Sequence, residues 1–213
     1  MELWSAIEER RSIRKYKPEE PSLAVLQKVI AAGLWAPSNM NVQPWHFVIV
    51  RGEKRAELLE VIRRSGQAIL PKLERIFADK PKVIKFTLDF FQDLGKAPIL
   101  IFCYGPEACA PPSGDLTLSE RRVANFEYAT NLQSVAAAIQ NILLAAHAEG
   151  LGTCWMTGPL HVADEVNERL GISGKELVAV ITLGYPDQSP PKPPRKPGRV
   201  EWLGFDVCDP AKA

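Results

Sequence analysis

Apolar positions along the chain switch between two periods, and the switches predict the elements. Leu23, Leu26, Val29 and Ile30 recur at helical spacing behind Ser22, an N-cap type, so a helix is expected that ends near Gly33 and Pro37. Leu3, Trp4 and Ile7 share one face of a shorter helix before it. Phe47 to Val50 is a continuous apolar run and reads as a strand. Glu53 to Arg64 returns to helical spacing, with Leu58, Leu59 and Ile62 on one side. From Gly66 to Gly95 the pattern loosens: Pro71 and Pro81 interrupt it, among basic residues and Phe77, Phe86, Phe90 and Phe91. Ile99 to Tyr104 has the composition of a buried strand. After a loop through Pro111, Pro112, Ser113 and Gly114, a long helix is expected from about Asn125 to Glu149. It is alanine-rich and apolar on several faces, which predicts a buried spine. Strands at Thr153 to Met156 and Val178 to Leu183 follow, with a helix from about Ala163 to Leu170 between them. No internal repeat is visible.

With 213 residues and 46% hydrophobic content, one sizeable core and a single domain over 1–213 are expected. The net charge of +1 gives no global attraction to nucleic acid, so any basic cluster must serve a small anion. Four cysteines and three histidines show neither a CxxC pair nor metal-ligand spacing, so no metal site is expected and the thiols fit a reducing compartment. No apolar run approaches the roughly 20 residues that span a bilayer. A cytoplasmic protein without membrane contact is the expectation.

Two segments carry candidate chemistry. Ala36-Pro37-Ser38-Asn39-Met40-Asn41-Val42-Gln43-Pro44-Trp45 sets amide and hydroxyl side chains between two prolines. It is either an ordinary helix-to-strand turn or a rigid recognition loop for a flat polar heterocycle. Glu9-Arg10-Arg11-Ser12-Ile13-Arg14-Lys15-Tyr16 places guanidinium groups around a hydroxyl, suited to gripping a phosphate; the alternative is a solvated face whose arginines pair with Glu8 and Glu9. A third segment, Ser189 to Pro197, is too rich in proline for a helix and holds Lys192, Arg195 and Lys196 in an extended, stiff run.

In this order, Arg10 to Tyr16, Ala36 to Trp45 and the block from Ala138 to Gly158 resemble the FMN-dependent nitroreductase family, over nearly the whole length. The resemblance implies an α+β fold, a three-layer sandwich: a mixed, mainly antiparallel sheet flanked by helices, with a domain-swapped C-terminal arm over 189–213. Val200 to Phe205 resembles the part of that arm that crosses the partner. It also implies a homodimer that binds FMN and takes NADH or NADPH as a transient electron donor. A small-molecule acceptor, such as a nitroaromatic or quinone, completes a ping-pong cycle. The region 66–97 would be a lid over the flavin, although its phenylalanines equally suit a core or a dimer contact. By the same resemblance, Arg10, Arg11, Ser12, Arg14 and Arg195 would hold the phosphate end, with Arg11, whose side chain should point differently, mattering less. The family's second basic residue is Pro193 here, which leaves Lys192 as a substitute.

Within that resemblance the flavin carries the chemistry, and no catalytic side chain is expected. Asn41, Gln43 and Arg14 are candidates for its N1 and O2 edge, with Pro37, Ser38 and Asn39 in the same loop. Backbone amides near Thr157, Gly158 and Leu160 would face N5 and O4, and Trp155 and Met156 would flank the ring or else be plain core residues. No GxGxxG fingerprint is present, so nicotinamide would bind over the flavin. Alternatives are a flavin-destroying or dehalogenating enzyme on the same fold and a non-catalytic flavin-binding protein. A deiodinase-like lid of an acid, a tyrosine and a lysine is not recognisable, with Glu127-Tyr128 left open.

Overall fold

The computed structural model describes residues 1–107 and 116–205. The Pro111–Gly114 loop, Cys109, Cys208 and the end of the expected arm lie outside the described residues.

Four strands, β1 (His46–Val50), β2 (Ile99–Pro106), β3 (Gly152–Met156) and β4 (Lys175–Gly184), form one sheet in the order β1-β2-β4-β3. Every pairing between these strands is antiparallel, whereas a mixed sheet was expected. The parallel element is reduced to a single bridge between Ser12 and Thr153. Residue 12 lies in an extended segment too short to build a fifth strand.

Alternate strand residues face opposite ways, and both faces are apolar. Leu100, Phe102, Tyr104 and Val180 join one core with Leu58, Leu59 and Ile62 of α3 (Gly52–Ile76) and Phe90 and Phe91 of α4 (Pro81–Asp93). Val166 of α7 (Ala163–Leu170) belongs to the same core. Ile99, Ile101, Ala179, Ile181 and Leu183 join a second core with Leu26 and Val29 of α2 (Leu23–Leu34) and Val135, Ile139, Ile142 and Ala146 of α6 (Phe126–Ala148). β2 and β4 are therefore covered on both sides, which is why they read as unbroken apolar runs. α6 is buried along its length from Ser134 to Ala146, the spine its composition called for.

The region after Gly66 is not loosened in space. α3 continues to Ile76 with Pro71 inside it, and α4 follows after a short connection. The helix is anchored upstream of the proline, where Ser65 and Gly66 are buried and a Cβ on Gly66 would meet Phe91 Cβ at 3.2 Å, while Pro71 itself is exposed. Phe90 and Phe91 are core residues, whereas Phe86 is 48% exposed. A further helix, α5 (Leu118–Ala124), is absent from the hydrophobic pattern but carries a capping box between Thr117 and Glu120. α1 (Leu3–Glu9) buries only Ala6 and exposes Leu3, Trp4 and Ile7.

Candidate functional site

Residues 12–17 run beside β3 and are stitched to the sheet from both sides. Ile13 N–H donates to Thr153 O at 2.8 Å, Lys17 N–H to Tyr185 O at 2.9 Å, and Asp187 N–H to Lys15 O at 2.9 Å. The Tyr16 hydroxyl donates to Ile13 O at 2.6 Å and shares a 2.7 Å hydrogen bond with Thr182 Oγ1. Burial raises the Tyr16 phenol well above its ordinary range, so it stays a neutral peg.

This extended backbone separates the signature's side chains by parity. Arg11 folds back on α1 and donates to Glu8 O at 2.7 Å and Arg10 O at 2.6 Å, which satisfies carbonyls at the helix end. The Arg10 backbone is bonded, its N–H donating to Ala6 O at 3.2 Å, but its guanidinium has no hydrogen bond or ion pair with any described residue. Its guanidinium is half-buried and its pKa is lowered, first by desolvation, then by the like charges of Arg11 and Arg195. Arg14 lies over the Phe90 ring with Cζ 6.0 Å from the centroid. Arg10 and Arg14 both act electrostatically on the Cys154 thiol of β3, whose pKa burial raises. Arg10 is thus within electrostatic reach of Arg195 and shares the surroundings of Cys154 with Arg14; none of the three guanidinium groups forms an ion pair among the described residues, although Asp89, Asp93 and Asp187 line the cavity beside Arg14. Lys192 is not spare: it pairs with Glu8 at 2.8 Å.

His147 of α6 joins this group with no signal in the sequence. Its Nε2 is buried without a partner among the described residues, and its pKa is lowered, first by desolvation. Glu9 raises that pKa, while Arg10 and Arg11 lower it.

At the end of β3, Met156 is buried in the core and Trp155, on the opposite face, is 36% exposed. Thr157 leads into a turn of 3-10 helix, Gly158–Val162, in which Leu160 is also 36% exposed. Gly158 is required by packing: a Cβ there would lie 2.5 Å from Phe91 Cζ.

The amide loop is strained and self-bonded. Met40, Asn41 and Gln43 all have positive φ, at 47°, 56° and 49°. Each such residue costs on the order of 1–2 kcal/mol. Ser38 Oγ accepts from Gln43 N–H at 3.0 Å, and Gln43 Nε2 donates to Asn41 Oδ1 at 3.3 Å. Asn39 N–H donates to Ser134 Oγ of α6 at 3.3 Å, and Pro37 leads into the loop. Ser134 lies in the N-terminal half of α6 and His147, beside Arg10, at its C-terminal end, roughly 20 Å apart at helical rise. One chain therefore separates the loop from the arginines. Around the loop, Trp35 is 87% and Met40 91% exposed, near the exposed Leu34 and Val42. Apolar side chains so exposed are what an interface covers.

The acid-tyrosine pair left open in the sequence has a specific outcome at Tyr128, whose hydroxyl bonds Glu176 Oε1 of β4 at 3.1 Å. Among the described residues, no cluster of histidine, cysteine and carboxylates could hold a metal ion, and no helix is long and apolar enough to cross a membrane.

The sequence profile of the nitroreductase family matches residues 7–185. The chain belongs to the nitroreductase family. This nitroreductase-family chain is 30% identical to an iodotyrosine deiodinase of Thermotoga neapolitana, over 95% of this chain and 98% of that one. It is also 30% identical to an NADPH-flavin oxidoreductase of Vibrio harveyi, over 89% of this chain and 68% of that one. The solved structure of a BluB-like flavoprotein from Clostridium difficile 630 superposes with a TM-score of 0.70 at 30% identity, covering 92% of this chain and 95% of that one.

Proposed function

We propose that this nitroreductase-family oxidoreductase binds FMN and passes electrons from NADH or NADPH to a small organic acceptor, a quinone or nitroaromatic. The observation that carries this reading is the half-buried Arg10 guanidinium, which pairs with no carboxylate among the described residues and faces the like charge of Arg195, with Arg14 further along the same segment. Desolvated like charges are unfavourable until an anion joins them, and a phosphate monoester brings close to two negative charges. The similarity to flavoproteins supports reading that anion as the phosphate of FMN.

Bound FMN supplies the hydride acceptor and the electron relay. Arg10, Ser12 and Arg195 hold the phosphate end, and Arg14, pinned over Phe90, lies nearer the ring, where its charge stabilises the reduced state. Backbone groups of Thr157, Gly158 and Leu160 orient the ring edge; Trp155 borders it and Met156 backs it from the core. Arg11 serves the helix end. Phe86, exposed on α4, forms the movable side of the acceptor site.

The separation of the amide loop from the arginines supports a two-fold homodimer in which Pro37, Ser38, Asn39, Asn41 and Gln43 of one subunit complete the site of the other. The segment from Ser189 onward, exposed throughout its described residues apart from the half-buried Pro190, extends across the partner as an exchanged arm.

A second reading, reductive dehalogenation on the same fold, is favoured by the similarity to the deiodinase. Anaerobic NADH or NADPH is expected to bleach the flavin band of purified protein, and air, a quinone or a nitroaromatic to restore it. Protein that purifies with no flavin and gains none from added FMN would sink the proposal. Bleaching reversed by an iodophenol and not by a quinone or nitroaromatic would favour the second reading.

A further inference from the structure

The connection after α4 is built against the conformational preferences of its residues. Leu94, Gly95 and Lys96 all have positive φ, at 53°, 61° and 62°. Leu94 is fully buried. Two side-chain-bearing exceptions within three residues persist only where the surroundings over-determine them.

Those surroundings are identifiable. Arg55, from the first turn of α3, donates through Nε to Ala97 O and through Nη2 to Asp93 O, at 2.5 and 3.1 Å. One planar guanidinium thus grips both ends of the turn, and the Asp93 carboxylate accepts from Gly95 N–H at 2.8 Å. Arg55 is half-buried; desolvation lowers its pKa and Asp93 opposes that. The turn is held for what it touches: Gly95 O accepts from Tyr16 N–H at 3.0 Å, and a Cβ on Gly95 would sit 2.1 Å from Arg14 O. Gly95 lies directly against the Arg14 backbone, and Phe90, one turn earlier on α4, lies under the Arg14 guanidinium. The turn, with Arg14, Tyr16 and Phe90, lines a cavity of about 450 Å³ that opens beside Arg14.

We propose that Arg55 is a positioning residue for Arg14: by clamping the strained 94–96 turn it fixes both the backbone and the ring against which Arg14 is set. This inference rests on Arg14 contacting the flavin, as argued above. Its mark is coupling, because a clamp acting through Arg14 has nothing to act on once that guanidinium is gone.

The test is a double-mutant cycle on the full-length protein, reading FMN dissociation constants from quenching of FMN fluorescence. R14A is expected to weaken FMN roughly 10- to 100-fold. R55Q alone is expected to weaken it roughly three- to tenfold, and to add nothing in the R14A background. R55K, which keeps the charge without the fork, should recover part of the loss and serves in the same cycle if R55Q does not fold. Unchanged affinity in R55Q, or an equal penalty with and without Arg14, would overturn the inference and leave the flavin reading standing. Unchanged affinity in R14A would overturn the placement of Arg14 at the flavin, and the inference with it.

Discussion

Neighbouring arginines of the signature should separate cleanly by function, and R10A against R11A is the comparison that shows it. The Arg10 guanidinium is half-buried, has no hydrogen bond or ion pair among the described residues and faces the like charges of Arg11 and Arg195. Removing it takes away a charge-assisted hydrogen bond to an anion, about 1.5–3 kcal/mol, which corresponds to roughly 10- to 100-fold in FMN affinity. The flavin-free protein should lose no more than about 0.5 kcal/mol of stability, since a desolvated cation among cations is no asset there. Arg11 has the opposite profile. Its guanidinium already serves Glu8 O and Arg10 O at the end of α1, so R11A should cost about 1 kcal/mol of stability while leaving FMN affinity within about twofold. The assays are FMN fluorescence quenching on flavin-free protein and urea denaturation of the same samples. R10A binding FMN like the parent, or R11A losing more flavin than R10A, would refute the phosphate assignment.

Replacing Gly95 by alanine should destabilise the protein by about 2–4 kcal/mol, because the new Cβ would clash with backbone at Arg14 O and φ is +61°; a thermal midpoint unchanged from the parent would contradict the close approach. His147 is held below its ordinary value of 6.5 in the folded state. The unfolded chain therefore takes up the proton first as pH falls, so stability is unaffected above about pH 6.5 and declines below it. H147Q should lose part of that acid-side decline in urea titrations at stepped pH, and an unchanged profile would exclude this histidine as its source. Burial raises the thiol pKa of both Cys103 and Cys154, so neither should be alkylated by iodoacetamide at pH 8 until the protein unfolds, as mapped by peptide mass. Truncation before Val200 should loosen the dimer and release FMN together; an FMN-loaded full-length monomer at micromolar concentration in sedimentation would refute the shared-site proposal.

The elements legible in the sequence are those whose burial is periodic or complete. Ile99 to Tyr104 and the helix after Asn125 read correctly because a strand covered on both faces and a helix enclosed on several sides must be apolar throughout. The Arg10 to Tyr16 signature was legible as a cation cluster, since charge at that density needs an anion or a local partner. That Arg11 points away from Arg10 and Arg14 was expected as well, but what it bonds was not: only the structure turns it onto Glu8 O and Arg10 O at the end of α1. The continuation of α3 through Pro71 was hidden as well, because local propensity opposes it and the residues beyond the proline are mostly exposed, which leaves no periodic apolar pattern to reveal it. Gly158 shows the same limit: its sequence neighbours suggest room for a ligand, while the space belongs to Phe91. The clamp of Arg55 on the 94–96 turn joins residues some forty positions apart, through carbonyls that carry no sequence identity. A side chain's partner on the backbone leaves no trace in the residue type it bonds, so only the tertiary structure decides it.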